Sequence, residues 1–181
     1  MKLFVEIIGS FLIVCMCFSC ESYAIRKEIR SFMENVVTIP CMVCMEDSQI
    51  KLYQDTTSLP KLIVYYDFNS CTECEISHLP DMKWLNDKSL RDNTFKFIVI
   101  FSPSVDESDK VEKLLKVLDI PFPVCIDYHN EFQYANSFIP EDKRYHTFLI
   151  DADGRILFVG NPALSRELRS LFYQAIDSAL L

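Results

Sequence analysis

Leu62-Ile63-Val64-Tyr65-Tyr66, then Cys71-Thr72-Glu73-Cys74, then a mixed run from Glu75 to Asn86: this is the stretch on which the fold turns. The unbroken apolar run predicts a central strand covered on both faces. The run after Cys71 predicts a helix that bends or breaks near Pro80. A strand that ends in Cys-x-x-Cys and turns into a helix sets the first thiol at the helix N-terminus. There the helix dipole and unsatisfied N–H groups favour the thiolate, the form that attacks a disulfide. Two intervening residues let the second sulfur close a disulfide with the first. The expectation is a dithiol redox site, with Cys71 as nucleophile and the more buried Cys74 as resolving thiol. Its bland counterpart is a structural disulfide without turnover.

The N-terminus bears on the compartment. After Met1-Lys2-Leu3 the chain is almost wholly apolar from Ile7 to Phe18. That run is shorter than the ~20 residues a helix needs to cross a bilayer, so it reads as the core of a signal peptide. It ends in Cys17-Phe18-Ser19-Cys20, which resembles the lipobox of bacterial lipoproteins. The resemblance implies cleavage after Ser19 and a lipid on Cys20, with residues 1–19 removed and Cys15 and Cys17 lost with them. Removal takes away one cation, Lys2, and one anion, Glu6, so the net charge of −8 is unchanged. An acidic domain is a poor partner for nucleic acid or anionic lipid, so no nucleic acid is expected and membrane attachment would come from the lipid. Outside the cytosol disulfides persist, and a dithiol there needs an electron source or acts as an oxidant.

Half of the residues are apolar and 13 % aromatic, which calls for a sizeable core rather than disorder. Three glycines leave no room for Gly-rich phosphate loops or for a turn glycine in every repeat. The chain divides into the signal (1–19), a tether with a helix and short strands (20–54), and a main domain (55–181). Ile25, Ile29, Phe32 and Met33 share one face of a helix over 21–35. Short strands follow at Val36–Ile39 and Ile50–Tyr53 around Glu46-Asp47-Ser48. Phe95–Phe101 is a second core strand and Pro123–Ile126 a third. Between them Val105 to Leu118 is an amphipathic helix with Val111, Leu114, Leu115 and Leu118 on one face. Phe132–Phe138 reads as a short helix, Thr147–Ile150 and Ile156–Val159 as a hairpin turned at Asp151-Ala152-Asp153-Gly154, and Leu164–Leu181 as a closing helix. The order is that of an α/β protein around a mixed sheet.

With the strand–Cys71-x-x-Cys74–helix unit and the hairpin from His146 to Gly160, the chain resembles thioredoxin-like proteins, closest to exported lipoprotein members of the redoxin and thiol–disulfide oxidoreductase group. The resemblance covers roughly residues 55–181. It implies a thioredoxin-like fold, a central mixed β-sheet flanked by helices, with an N-terminal helix and short-strand extension. It also implies a membrane-anchored, periplasmic-side enzyme that exchanges disulfides with exported proteins, uses no cofactor, and is recharged by a membrane thiol-relay reductase. The chain departs from the family's usual pattern at three places. Ser70 stands where Trp is usual, and Thr72-Glu73 where Gly-Pro is usual. The family's cis-proline position falls on Tyr145 or His146, with Pro140 too early to serve. Glu73 adds a negative charge that opposes thiolate formation.

Other constellations keep their alternatives. Cys71, Cys74, His78 and His146 are together a possible copper or zinc ligand set, which would make the chain a metal carrier. Loss of the proline would suit a non-catalytic binding domain. Cys41-Met42-Val43-Cys44 is a second Cys-x-x-Cys, open to ordinary packing, a secondary disulfide or a metal. Cys125 reads as a core thiol. The peroxidase motif is absent, since Val64 and Phe68 stand where Pro and Thr would be.

Overall fold

Every residue of the strand Lys61–Tyr66 is buried. Even the ammonium of Lys61 is taken in, donating to the carbonyls of Thr57 at 3.3 Å and Leu59 at 3.1 Å. The computed structural model describes residues 23–46, 49–53, 57–69, 72–118 and 120–180. In chain order its elements are helix α1 (residues 23–33), strands β1 (Met42–Glu46), β2 (Gln49–Tyr53) and β3 (Lys61–Tyr66), and helix α2 (Thr72–Ser77). A 3-10 turn (Leu79–Met82), helix α3 (Lys83–Asp92), β4 (Lys96–Phe101), α4 (Ser108–Leu118) and β5 (Val124–Ile126) follow. The chain closes with α5 (Glu131–Ala135), β6 (Thr147–Ile150), β7 (Ile156–Val159) and α6 (Arg166–Ala179).

The strands form one mixed sheet in the order β2-β1-β5-β4-β3-β6-β7. β3, β4 and β5 run parallel, and the other pairs are antiparallel. Because side chains alternate along a strand, β3 feeds two cores. Leu62, Val64 and Tyr66 pack with Phe97, Val99, Leu115 and Phe172 on one face. Ile63 and Tyr65 pack with Ile98, Phe32, Phe132 and Phe148 on the other. The helix run after Cys71 does break where expected: Pro80 sits in the 3-10 turn between α2 and α3. Asn93, in the left-handed conformation at φ 50°, ends α3.

The N-terminal strands differ from expectation. Val36–Ile39 is not a strand; Val36 makes an isolated bridge to Arg155, and the strand is instead β1, which contains Met42, Val43 and Cys44. The reason is a clamp. Val37 N–H donates to the Gly154 carbonyl at 2.8 Å. The Asn136 side chain takes the Thr38 N–H at 2.7 Å and gives an N–H to the Thr38 carbonyl at 2.8 Å. With its backbone groups spent on a turn and a side chain, the segment cannot join the ladder. β1 then lies antiparallel to β5, Cys44 opposite Cys125.

Gly154 is the residue this clamp depends on. It holds φ +84°, and a Cβ there would stand 2.3 Å from the Val37 carbonyl oxygen. Gly154→Ala is therefore expected to cost more than about 2 kcal/mol, from left-handed strain and from backbone displacement. Gly154→Asn should lose nearly as much in urea denaturation, because its Cβ meets the same oxygen. An asparagine variant as stable as the parent would show that φ alone matters.

Candidate dithiol site

The site lies at the carboxyl ends of the parallel strands. After Tyr66 the chain passes through Asp67, which is buried, and the exposed Phe68 and Asn69. Ser70 and Cys71 lie outside the described residues, as do residues 1–22 with Cys20 and the expected signal. α2 begins at Thr72 and carries Cys74.

Cys74 is exposed, which corrects its expected burial. The physical reason is helical phase. Ile76 and Leu79 are the residues that α2 and the following turn drive into the core. Residues two apart on a helix do not share a face, so fixing Ile76 inward turns Cys74 outward.

Glu73 and Glu75 flank Cys74, but each carboxylate is paired. Glu73 meets Lys110 of α4 at 2.8 Å, and Glu75 meets Lys143 at 3.5 Å. These ion pairs are solvent-exposed and worth at most about 1 kcal/mol each. They also offset the negative charge expected to oppose a thiolate. His78, four residues after Cys74, is exposed with Nδ1 3.4 Å from an Asp81 carboxylate oxygen.

The register places His146 opposite Tyr65, one residue beyond the Val64–Thr147 pair. Its carbonyl accepts the Tyr65 N–H at 2.8 Å, its ring lies 5.2 Å from the Tyr65 ring, and Nε2 donates to the Pro140 carbonyl at 2.8 Å. This is the position where the family's proline was expected; no cis peptide bond occurs among the described residues. No group of three or more His, Cys, Asp or Glu able to hold a metal occurs among the described residues.

His146 and Tyr65 separate two cavities. The first, about 560 Å³, is lined by Ile25 and Ile29 of α1, by Glu75, His78 and Met82, and by Leu164 and Leu168. It is mostly apolar with Lys143 and Arg144 at its wall. Arg144 is tied to Asp142, whose carboxyl the guanidinium and the Arg144 N–H hold below the usual carboxylate range. The second cavity, about 640 Å³, lies on the other side of His146, against Asp67, Phe68 and Asn69. Tyr65 is buried against both, and burial pushes its hydroxyl up to about 12. Ser102, whose Oγ donates to an Asp127 carboxylate oxygen at 3.0 Å, lies close enough to that hydroxyl to temper the rise. Asp127 also takes the N–H groups of Glu131 and Phe132, both at 2.9 Å, and so holds the start of α5.

Away from this site, Cys44 and Cys125 form a disulfide, so Cys125 is not the core thiol expected. Antiparallel partners directly opposite one another share a face, which brings the two sulfurs together. Cys41 remains an exposed free thiol, its Sγ 3.7 Å from the Tyr53 carbonyl. The second Cys-x-x-Cys therefore does not pair internally. The roles of Tyr65 and Cys125 carry no local sequence signal, since each depends on which strands become neighbours.

No known protein-family profile matches the sequence, and no curated protein sequence matches it. Solved structures do. A Chlorobium tepidum protein assigned as thiol:disulfide interchange protein DsbE aligns with a TM-score of 0.53 at 16 % identity, over 78 % of this chain and 96 % of that one. The pneumococcal exposed lipoprotein thioredoxin Etrx1 from Streptococcus pneumoniae aligns at 0.52 and 15 % identity, over 77 % and 99 %. StoA from Bacillus subtilis aligns at 0.50 and 17 % identity, over 74 % and 98 %. Likeness at such identities speaks to architecture, and the strand order, the helix on Cys74 and the closing hairpin agree with it. The chain has the thioredoxin-like fold.

Proposed function

We propose that the chain is an exported thiol–disulfide oxidoreductase, held at a membrane by a lipid on Cys20, that exchanges disulfides with exported proteins through Cys71 and Cys74. The observation that carries the reading is the position of the Cys-x-x-Cys. In sequence it follows a fully buried parallel strand and leads into helix α2, on which Cys74 is exposed and its neighbour Glu75 lines an apolar cavity of about 560 Å³. Ligands of open α/β sheets bind at that end of the strands. The Cys44–Cys125 disulfide supports a compartment outside the cytosol. Among the described residues no helix is long and apolar enough to cross a membrane. Attachment through a lipid is in keeping with the word lipoprotein in the name of the pneumococcal protein.

The chemistry balances within the dithiol. The Cys71 thiolate attacks one sulfur of the substrate disulfide; a Cys71–substrate disulfide forms and the other substrate sulfur leaves as a thiolate that takes a proton. The Cys74 thiolate then attacks Cys71 Sγ, the mixed disulfide breaks, and the second substrate thiol is released. The substrate gains two electrons and the pair is left as a disulfide. A membrane reductase with its own dithiol would return them by the reverse route, and no cofactor is required.

The test is the reduction potential of Cys71–Cys74, taken on residues 21–181 in graded thiol buffers after metal removal. Alkylation and peptide mapping keep this pair apart from Cys44–Cys125. A transition near −250 mV or lower assigns a reductase, and one near about −120 mV an oxidase. No disulfide at any poise would sink the exchange reading and move the assignment to metal binding.

A further inference from the structure

The second cavity, about 640 Å³, has a mixed polar and aromatic lining. Two of its polar atoms are buried without a hydrogen-bond partner: the Tyr65 hydroxyl and the Asn130 Oδ1. Tyr65 is only 3 % exposed. Buried polar atoms are normally satisfied, so orphans that line one cavity mark a place for a ligand to complete. Asp67 and Glu141 add carboxylates to the same wall, and neither Lys nor Arg lines it. His146 spends Nε2 on Pro140. The amide oxygen and the two carboxylates are acceptors, and the phenolic oxygen can accept as well as donate. At the same cavity Phe68 and Tyr134 stand 48 % and 77 % exposed.

Acceptors backed by negative charge, with exposed aromatic rings beside them, suit a guanidinium better than an ammonium. The guanidinium is planar, carries five N–H donors and no acceptor, and stacks on aromatic faces. We propose that this cavity binds the side chain of an arginine residue in the polypeptide whose disulfide is exchanged. The partner's identity rests on the oxidoreductase reading; the pocket's chemistry does not. The cavity adjoins Phe68 and Asn69, the residues that lead to Cys71, so an arginine seated there would hold the partner chain beside the dithiol.

The test has two arms. In the first, the isotope-labelled full chain in detergent, with Cys71→Ser and Cys74→Ser, is titrated with capped Gly-Arg-Gly and with its citrulline counterpart, which keeps the shape and loses the charge. The arginine peptide is expected to move the amide resonances of Tyr65, Asn130 and Glu141 and to bind about tenfold or more tighter. Asn130→Gly removes the amide oxygen while allowing the φ of 55°. Tyr65→Phe removes only the hydroxyl. Each should erode the preference and leave the citrulline peptide unaffected. Equal affinities, or shifts confined to the first cavity, would overturn the pocket; free arginine binding as tightly as the peptide would overturn the polypeptide as its source. In the second arm, wild-type turnover of disulfide peptides carrying arginine or citrulline near the cysteine should differ about tenfold, through KM. Equal turnover with no binding preference removes the pocket and spares the oxidoreductase. A binding preference with no turnover of either peptide does the reverse.

Discussion

Replacing Cys71 by alanine is expected to lower disulfide exchange on the order of 10³-fold or more while leaving the urea midpoint within error of the parent. Among the described thiols only Cys74, three residues on, could take its place. Cys41 lies beyond the far end of the sheet with its Sγ against Tyr53, and Cys44 and Cys125 are consumed by each other. Replacing Cys74 should act differently. Without a resolving thiol the Cys71–substrate disulfide has nothing to break it, so Cys74→Ala should accumulate a covalent adduct visible by intact mass. The exposure of Cys74 sharpens the comparison, because an exposed thiol can also attack a substrate. If the adduct forms on Cys71→Ala instead, the two roles are exchanged. If Cys71→Ala loses folding and activity together, the pair is a structural disulfide.

The second large effect is expected at Cys44–Cys125. The bond joins residues 81 apart in sequence. In the chain-entropy description a loop of that size restricts the unfolded ensemble by about 4.5 kcal/mol, and measured losses of native disulfides run from about 2 to 5 kcal/mol. A Cys44→Ala, Cys125→Ala double variant should lose a comparable amount in urea unfolding. Both positions are nearly inaccessible, at 3 % and 0 % exposure, so the smaller side chains also leave a void. Reductant should lower the parent's stability and leave that of the double variant unchanged. Exchange activity per folded molecule should be the same in both, since the bond sits across β4 and β3 from the dithiol. A double variant as stable as the parent would mean that the unfolded chain is already held compact.

Much of the molecule could be read directly from local pattern. β3 and β4 announce themselves as continuous apolar runs, the β6–β7 hairpin as two apolar runs around Asp151-Ala152-Asp153-Gly154, and α6 as a periodic apolar stripe. These are elements whose neighbours agree with their own preference. What escaped depends on pairs distant in sequence. Val36–Ile39 looks like a strand by residue type, and only the Gly154 carbonyl and Asn136 divert it. Cys44 finds Cys125 because β1 is laid beside β5, which no spacing within either segment encodes. At the site the dithiol motif was legible, but the outward turn of Cys74 followed from Ile76 winning the inward face. The acceptor-lined cavity draws its walls from the end of β3, from Asn130 and from the segment around Pro140, and becomes visible only once they are assembled.

The bond between β1 and β5 also has a mechanical meaning. A pull applied at the N-terminus would travel down α1 and strip the three hydrogen bonds at Val37 and Thr38. It would then reach Cys44, where the load passes into the middle of the sheet through a covalent rivet. Everything C-terminal to that rivet, including the strand and helix that flank the Cys-x-x-Cys, is shielded from tension while the rivet holds. For a domain tethered at that end, the leash can stretch and slacken without the working end feeling it.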